Sequence, residues 1–198
     1  MNPAWRGPVT GLDLMHLEVG EHMMKDHIAL WETRYSSAEF LFGQVPNAFL
    51  ASQAGRLQRG QKALAVADGE GRNGVWLAEQ GLDVLSVDAS AAAQEKARRL
   101  AKARGVRLQT ELADLSQWTF PEAAFDVVAA IFIQFAAPGL RTVLFRRMKQ
   151  ALRPRGLLVL EGYRPEQLQY GTGGPPYIEN LYTEAMLREH SATSRSCC

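Results

Sequence analysis

The chain is poor in cysteine, and the two cysteines that it has are neighbours. Cys197 and Cys198 end a sequence of 198 residues. Two adjacent cysteines neither build a disulfide framework nor supply a spaced set of metal ligands. The spacing of His16, His22 and His27 fits no helical pair of metal ligands either. We therefore predict no metal site and expect these histidines to be solvated or partly packed.

A long apolar run and an excess of one charge are also missing. No stretch reaches the roughly 18 apolar residues of a membrane-spanning helix, and no signal peptide is visible at the start. The 22 Lys and Arg residues nearly balance the 21 Asp and Glu residues. We therefore predict a cytoplasmic protein with a small-molecule partner, and no binding of nucleic acid or membrane.

Length and composition predict one main domain. With 46% hydrophobic residues the chain can bury a sizeable core, but it has no room for a second, substrate-binding domain. Residues 1–25 mix proline and glycine with scattered apolar residues and are predicted to form an extension. We expect the main domain at residues 26–190 and a polar tail at residues 191–198.

Apolar strands alternate with amphipathic helices along the main domain. Helices are predicted from Arg72 to Gly81, from Ala91 to Ala103 and from Leu140 to Leu152. The predicted strands are Ala63–Ala67, Val84–Val87, Val106–Leu112, Phe125–Phe132 and Leu157–Leu160. This order predicts an α/β fold with a doubly wound, mostly parallel, Rossmann-like sheet and helices on both faces. Its ligand is expected at the carboxyl ends of the strands.

A glycine-rich turn follows the first predicted strand. Gly69, Gly71 and Gly74 have the G-x-G-x-x-G spacing of dinucleotide-binding turns, and Asp88 comes 19 residues after Gly69. A nicotinamide-cofactor oxidoreductase therefore remains an alternative. However, Asp68 and Glu70 would repel a pyrophosphate, whereas S-adenosylmethionine has no phosphate and carries two positive groups. The acids in the turn favour S-adenosylmethionine.

Several short motifs between Trp31 and His190 point to one family. On these motifs the chain resembles the class I S-adenosylmethionine-dependent methyltransferases, and among them the tellurite-resistance methyltransferases and their bacterial relatives. The motifs are Trp31-Glu32-Thr33-Arg34-Tyr35, Phe42–Leu50, Gly69-Glu70-Gly71-Arg72-Asn73, Val87-Asp88-Ala89-Ser90, Ala113-Asp114-Leu115 and Gly171–Pro175.

The resemblance implies a set of cofactor-binding residues. Asp88 is expected to bind the ribose hydroxyls, and Asp114 to accept the exocyclic amine of adenine. The other positions expected at the cofactor are Tyr35, Asp68, Gly69, Gly71, Asn73, Ala89 and Leu115. A carboxylate can accept two hydroxyl donors, which agrees with the role of Asp88. Three structural alternatives remain: a helix-capping role for Asp88, a turn role for Asp114, and a role in the core alone for Tyr35 and the other aromatic residues of Trp31–Leu50.

The chain departs from the family pattern at the end of the first strand. Ala65 and Ala67 stand where many members have an acid and a first glycine. Asp68 therefore either takes over part of the contact to the ammonium or sulfonium group, or points to solvent, and we favour the contact.

The sequence contains a Pro-Pro-Tyr motif but no visible catalytic group. The segment Gly174–Tyr177 resembles the motif of amino-methyltransferases, but it follows the fifth strand and begins with glycine, which favours a plain loop. After the fourth strand the chain has Ile133-Gln134-Phe135, without an acid or Asn to hold an amine. We assign no catalytic residue, and we expect a soft acceptor such as a thiol or a chalcogen oxyanion.

The family's C-terminal pair of antiparallel strands has no counterpart in the sequence after a helix expected at about Ile178 to His190. Without that pair, Leu157–Leu160 would be an apolar edge strand, which predicts a homodimer across this edge. A truncated module that binds a cofactor without catalysis is the third function that we consider.

Overall fold

The computed structural model describes residues 25–171 and 173–192. His16, His22 and nearly all of the predicted extension lie outside the described residues, as do Cys197, Cys198 and most of the predicted tail. The predicted domain limits therefore stay predictions.

The centre of the fold is a parallel sheet of five strands, and every pairing within it is parallel. The strand order is β3-β2-β1-β4-β5, so the direction of winding reverses between β1 and β4. A ligand is expected outside the carboxyl ends of the strands at this point. The strands are β1 Lys62–Val66, β2 Asp83–Asp88, β3 Gln109–Leu112, β4 Phe125–Ile131 and β5 Leu152–Glu161.

Helices cover both faces of the sheet, as predicted. They are α1 at residues 25–35, α2 Ala48–Ser52, α3 Arg72–Glu79, α4 Ala91–Ala103, α5 Pro138–Ala151, α6 Gln167–Tyr170 and α7 Glu184–Ala192. On one face, Leu64 and Val128 pack against Leu144 and Met148 of α5. On the other face, α2 and α3 pack against the alternate strand residues Val127 and Val159. None of the described helices is long and apolar enough to cross a membrane.

Three predicted boundaries were wrong by three residues or more. Strand β3 begins at Gln109 rather than Val106, because Val106 and Leu108 pack against α3 and α4 instead of pairing in the sheet. Strand β5 begins at Leu152, which pairs with Phe125 before an irregularity in the register. The helix expected at Ile178–His190 is a 3₁₀ turn at Ile178–Asn180 followed by α7.

The two edges of the sheet are β3 and β5. Strand β5 has a single neighbour, β4, among the described residues, and these residues contain no antiparallel strand pair. The expected apolar edge is therefore present, and Leu157, Leu158 and Leu160 in it are half-buried.

Candidate functional site

The turn after β1 has an unusual backbone that brings it close to its neighbours. Gly69 and Gly71 have φ values of +58° and +83°, in the left-handed region that glycine tolerates. A Cβ added to Gly71 would lie 2.6 Å from the Cβ of Ala97 on α4. A Cβ on Gly69 would lie 2.8 Å from the hydroxyl oxygen of Tyr35. The glycines thus allow α4 and the Tyr35 ring to pack against the turn.

Three amide groups of this turn donate hydrogen bonds within the protein. Gly69 donates to Asp88 Oδ2 at 2.8 Å, and Gly71 donates to the carbonyl of Asp68 at 3.2 Å. Gly74 donates to the carboxylate of Asp68, also at 3.2 Å. A pyrophosphate needs free N–H groups at such a turn. The amides of Gly69, Gly71 and Gly74 are therefore not free to bind a pyrophosphate.

Asp88 lies at the end of β2 with both carboxylate oxygens oriented by the backbone. Oδ2 accepts from Gly69, and Oδ1 accepts from the Ser90 amide at 2.9 Å. Each oxygen keeps a second lone pair that can accept a hydroxyl. Burial raises the pKa of Asp88 although these hydrogen bonds act to lower it. The cap of α4 is the Ser90 side chain, which accepts from the Ala93 amide, so Asp88 is not the capping residue.

Asp114 lies close to Asp88 because a backbone hydrogen bond connects the carboxyl ends of the neighbouring strands β2 and β3. The Ala113 amide donates to the carbonyl of Asp88 at 3.0 Å. Asp114 Oδ1 accepts from the Ser116 amide at 2.8 Å, which is the turn role considered above. Oδ2 has no hydrogen bond to any other described residue and can still accept a ligand's amine. Leu115 is buried beside it, and Ala89 is half-buried after β2.

The carboxylate of Asp68 is held by hydrogen bonds within the protein. Its carboxylate accepts from the Ser86 hydroxyl at 2.9 Å and from the Gly74 amide. Asp68 is buried, so it does not point to solvent either. Burial raises the pKa of Asp68 to about 7, although its hydrogen bonds act to lower it. The solvent alternative for Asp68 is therefore wrong, and its hydrogen bonds give this side chain a role in shaping the turn.

Glu70 forms a buried ion pair that sequence reasoning missed. Its Oε1 lies 2.7 Å from Lys96 Nζ of α4, and its Oε2 accepts from the Leu41 amide at 2.8 Å. Lys96 also donates to the carbonyl of Glu39 at 2.6 Å. The charge of Glu70 is therefore balanced within the protein, and the argument that Glu70 repels a phosphate is weaker than the sequence indicated.

Asn73 of α3 acts on α2 through one hydrogen bond. Its Oδ1 accepts from the Asn47 amide at 2.9 Å, and the Asn47 side chain in turn caps α2 by accepting from Leu50. Asn73 thus fixes the start of α2 beside the turn.

Aromatic residues of α1 cover the turn. The rings of Trp31 and Tyr35 stack with their centroids 5.3 Å apart, and Tyr35 is buried. Burial, together with Asp88 and Glu70, raises the pKa of the Tyr35 hydroxyl, which keeps it protonated. Glu32 accepts from the Ser90 hydroxyl and the Ala92 amide, which attaches α1 to the start of α4. The sequence motif contained Glu32 but gave no sign of this partner.

His27, the third histidine of the sequence, is partly packed as expected. Its ring stacks on Phe135 with centroids 5.4 Å apart, and burial lowers its pKa. Within the described ranges no group of three His, Cys, Asp or Glu residues could hold a metal ion.

The segment after β4 is held by Gln134. Its amide donates to the carbonyls of Tyr163 and Asn180 at 2.9 and 3.1 Å, and its oxygen accepts from the Tyr163 amide. The side chain of Gln134 is therefore hydrogen-bonded to the backbone and is not placed to hold an acceptor amine. Tyr177 of the Pro-Pro-Tyr segment is 56% exposed in a loop, which agrees with the plain-loop interpretation.

The site as a whole fits a nucleoside cofactor without phosphate. It offers an oriented carboxylate for two hydroxyls, a second carboxylate with a free oxygen, and a turn in which the amides of Gly69, Gly71 and Gly74 are already bonded. These donors and acceptors suit S-adenosylmethionine.

Comparisons with known proteins agree with this fit. A family model described as a methyltransferase domain matches residues 63–156. No curated protein matches the chain. A TehB-like S-adenosylmethionine-dependent methyltransferase from Corynebacterium glutamicum is 18% identical, with a TM-score of 0.58 over 87% of this chain and 83% of that one. This likeness shows the fold.

Two further structures are more similar in sequence. A methyltransferase from Mesorhizobium loti is 26% identical, with a TM-score of 0.51 over 58% of this chain and 53% of that one. One from Thiobacillus denitrificans, in complex with S-adenosyl-L-homocysteine, is 25% identical, with a TM-score of 0.52 over 63% and 51%. With the sheet order and the carboxylates at the strand ends, these matches confirm the predicted family and cofactor. Residues 63–156 match a methyltransferase domain, and the fold together with these matches supports a class I S-adenosylmethionine-dependent methyltransferase.

Proposed function

We propose that the protein methylates a small molecule at a soft nucleophile, a thiol or a chalcogen oxyanion. The observation that carries this proposal is the engagement of Gln134, the polar side chain after β4, with the backbone of Tyr163 and Asn180. Asp68 is likewise bonded to Ser86 and Gly74. Neither is placed to accept a proton from a hard nucleophile, and soft nucleophiles react without such a base.

We assign the cofactor contacts as follows. Asp88 binds the ribose hydroxyls, and Asp114 accepts the adenine amine, with Ala89 and Leu115 beside the ring. Gly69, Gly71 and Tyr35 border the methionine part. Asp68 and Asn73 act indirectly, because their hydrogen bonds shape the turn and place α2.

The reaction needs little more from the protein than position and exclusion of water. When bound, S-adenosylmethionine supplies a methyl group on a positively charged sulfur, which keeps the bonding electron pair as the acceptor's lone pair forms the new bond. A thiol acceptor loses its proton to solvent water before it is enclosed in the site. The stacked Trp31 and Tyr35 rings would keep water from the reacting atoms, which strengthens the electrostatic attraction within the site.

We also propose a location and an assembly for the protein. The near balance of charge supports a small molecule rather than nucleic acid as the partner. We place the enzyme in the cytoplasm, and we propose a homodimer that pairs the free edge of β5.

Calorimetric titration tests the cofactor half of the proposal. We expect the parent protein to bind S-adenosylmethionine and S-adenosylhomocysteine, and not reduced nicotinamide cofactor. Asp88→Ala should weaken binding about 10- to 100-fold, since a charged hydrogen bond contributes roughly 1.5–3 kcal/mol. Asp83→Ala, at the exposed start of the same strand, is the matched control. Equal binding by Asp88→Ala would refute the assignment.

A turnover assay tests the acceptor half. Methylation of 2-mercaptoethanol or selenite should release S-adenosylhomocysteine at a rate that depends on Asp88. Cofactor binding without turnover on either acceptor would instead favour a non-catalytic binding module.

A further inference from the structure

Strand β5 ends in a carboxylate that the cofactor assignment does not use. Glu161 is the last residue of β5, and its register partner is Ile131, the last residue of β4. Strand β4 lies between β5 and β1. Because neighbouring strands are about 4.8 Å apart, the end of β5 lies roughly 10 Å from the end of β1, where the glycine turn begins. Glu161 therefore lies at the carboxyl edge of the sheet, and β4 separates it from the strand that leads into the proposed cofactor site.

Glu161 is directed to the face of the sheet that carries the glycine turn and α3. Side chains alternate between the two faces of a strand, so Glu161 shares a face with Val159. Val159 packs in the same cluster as Leu50 of α2 and Leu77 of α3. The side chain thus lies on the α2 and α3 side at the edge where a ligand is expected.

One oxygen of this carboxylate is buried without a donor. Glu161 Oε2 is buried and has no hydrogen-bond partner among the residues that the structure describes. The desolvation of a carboxylate oxygen is costly when no donor replaces water. At a ligand-binding edge, a bound ligand that supplies a hydrogen-bond donor would remove this cost.

We propose that Glu161 binds a hydrogen-bond-donating group of the methyl acceptor through Oε2. This inference rests on the proposed methyltransferase function and narrows its substrate class. An ionised carboxylate only accepts hydrogen bonds, so it attracts a hydroxyl or an ammonium group and repels an oxyanion. A thiol that also carries a hydroxyl or an ammonium group is thus the preferred acceptor, and a chalcogen oxyanion is disfavoured.

Two aromatic rings next to Glu161 fit the same kind of acceptor. Phe132 directly follows β4 and stacks on Tyr163 with the ring centroids 4.6 Å apart. Phe132 has a φ of +59°, a strained conformation for a bulky residue and one that concentrates at functional sites. A small organic molecule suits such surroundings better than a hydrated inorganic anion.

A set of thiols that differ only in the second group tests the proposal. The probes are cysteamine, with an ammonium group, 2-mercaptoethanol, with a hydroxyl, and ethanethiol, with neither; selenite is the oxyanion. Release of S-adenosylhomocysteine gives kcat/KM for each. We expect the parent to prefer cysteamine and 2-mercaptoethanol over ethanethiol by about tenfold or more, the effect of one charge-assisted hydrogen bond.

Variants of Glu161 should remove this preference. In Glu161→Ala the preference for the two donor-bearing thiols over ethanethiol should fall to within about twofold. Glu161→Gln should keep part of the preference for 2-mercaptoethanol and lose the preference for cysteamine, because an amide oxygen still accepts a hydrogen bond but carries no charge. Glu122→Gln, at an exposed position, is the matched control and should keep the parent's preference. Urea unfolding verifies that each variant is folded.

The outcomes separate the two proposals. If the parent fails to bind S-adenosylhomocysteine, the methyltransferase function itself is wrong. If it binds S-adenosylhomocysteine and methylates no acceptor at all, the methyltransferase function is wrong, whereas faster methylation of ethanethiol or selenite than of the donor-bearing thiols overturns the role of Glu161. An undiminished preference in Glu161→Ala would overturn that role as well.

Discussion

Ala67 has a backbone conformation that its side chain disfavours. Its φ is +48°, and it stands where the family often has its first glycine. The left-handed conformation costs a non-glycine residue roughly 1–2 kcal/mol, part of which the methyl group regains by packing against the core. We expect Ala67→Gly to raise the free energy of unfolding by about 0.5–1 kcal/mol, measured by urea denaturation.

Two other alanines serve as controls for this prediction. Ala123 also has a positive φ, +45°, but is exposed, so Ala123→Gly should stabilise the protein as well. Ala103→Gly, in the last turn of α4, should destabilise it by about 0.5–1 kcal/mol. If Ala67→Gly destabilises while Ala123→Gly stabilises, packing of the Ala67 methyl group outweighs the backbone strain.

Asp68 should make stability depend on pH. Burial raises its pKa from 3.8 to about 7 in the folded protein, so between these values the folded state binds the additional proton. Stability must then fall as pH rises from about 4 to about 7, and the loss is complete above pH 7. The shift of about three units corresponds to at most about 4 kcal/mol.

An asparagine at this position removes the titration and keeps the shape. The free energy of unfolding of Asp68→Asn, relative to the parent, should therefore be clearly higher at pH 8 than at pH 5. Asp83→Asn, on the exposed start of β2, should show no such change. An equal difference at both pH values for Asp68→Asn would show that Asp68 is ionised throughout.

The regular elements differ in how far local sequence defines them. Helix α4 has the predicted bounds because both ends carry local signals. Ser90 caps the start, and Gly105, with a φ of +67°, follows the end. Strand β3 was predicted too long because Val106 and Leu108 continue its alternation but pack against α3 and α4. Local alternation cannot distinguish these two surroundings.

The buried pair of Glu70 and Lys96 connects the segment before α2 to α4. Lys96 donates to Glu39, and Glu70 accepts from Leu41, so the two charges hold that segment in place. Their side chains are only 3% and 4% exposed. Lys96→Met would leave the Glu70 carboxylate buried and unpaired, and we expect a loss of about 3–5 kcal/mol in urea denaturation.

A double variant distinguishes pairing from packing. Glu70→Gln combined with Lys96→Met removes both charges and should be more stable than Lys96→Met alone. Lys102→Met, at an exposed position near the end of α4, should change stability by no more than about 0.5 kcal/mol. If the double variant is no more stable than Lys96→Met, the cost comes from the lost lysine contacts rather than from the unpaired acid.

For the whole molecule, the sequence predicted which acids come together better than it predicted their partners within the protein. The carboxyl ends of parallel strands share one edge, so the acids after β1, β2 and β3 had to come together. The partner of Asp68 is 18 residues away, and that of Glu70 is 26 residues away. Such contacts arise from tertiary packing, and no local pattern specifies them.

In the part of the chain that the structure describes, β5 has one neighbouring strand, and its other edge makes assembly the prediction that concerns the whole molecule. An unpaired apolar edge favours pairing with another strand, and a second copy of β5 gives a closed, two-fold symmetric pair. The paired surface would be small, so we expect a dimer that forms as concentration rises from about 1 to about 100 µM. Sedimentation velocity measures this change in assembly.

Hydrogen exchange at the two concentrations shows which edge pairs. Amides of residues 157–161 in β5 should become more protected as the dimer forms, because they gain partners. Amides of β3, the other edge, should not change, since Gln109, Glu111 and Leu112 there are exposed and no second strand is expected on them. A monodisperse monomer at the higher concentration would exclude the dimer. Protection of β3 instead of β5 would show that the sheet pairs through its polar edge.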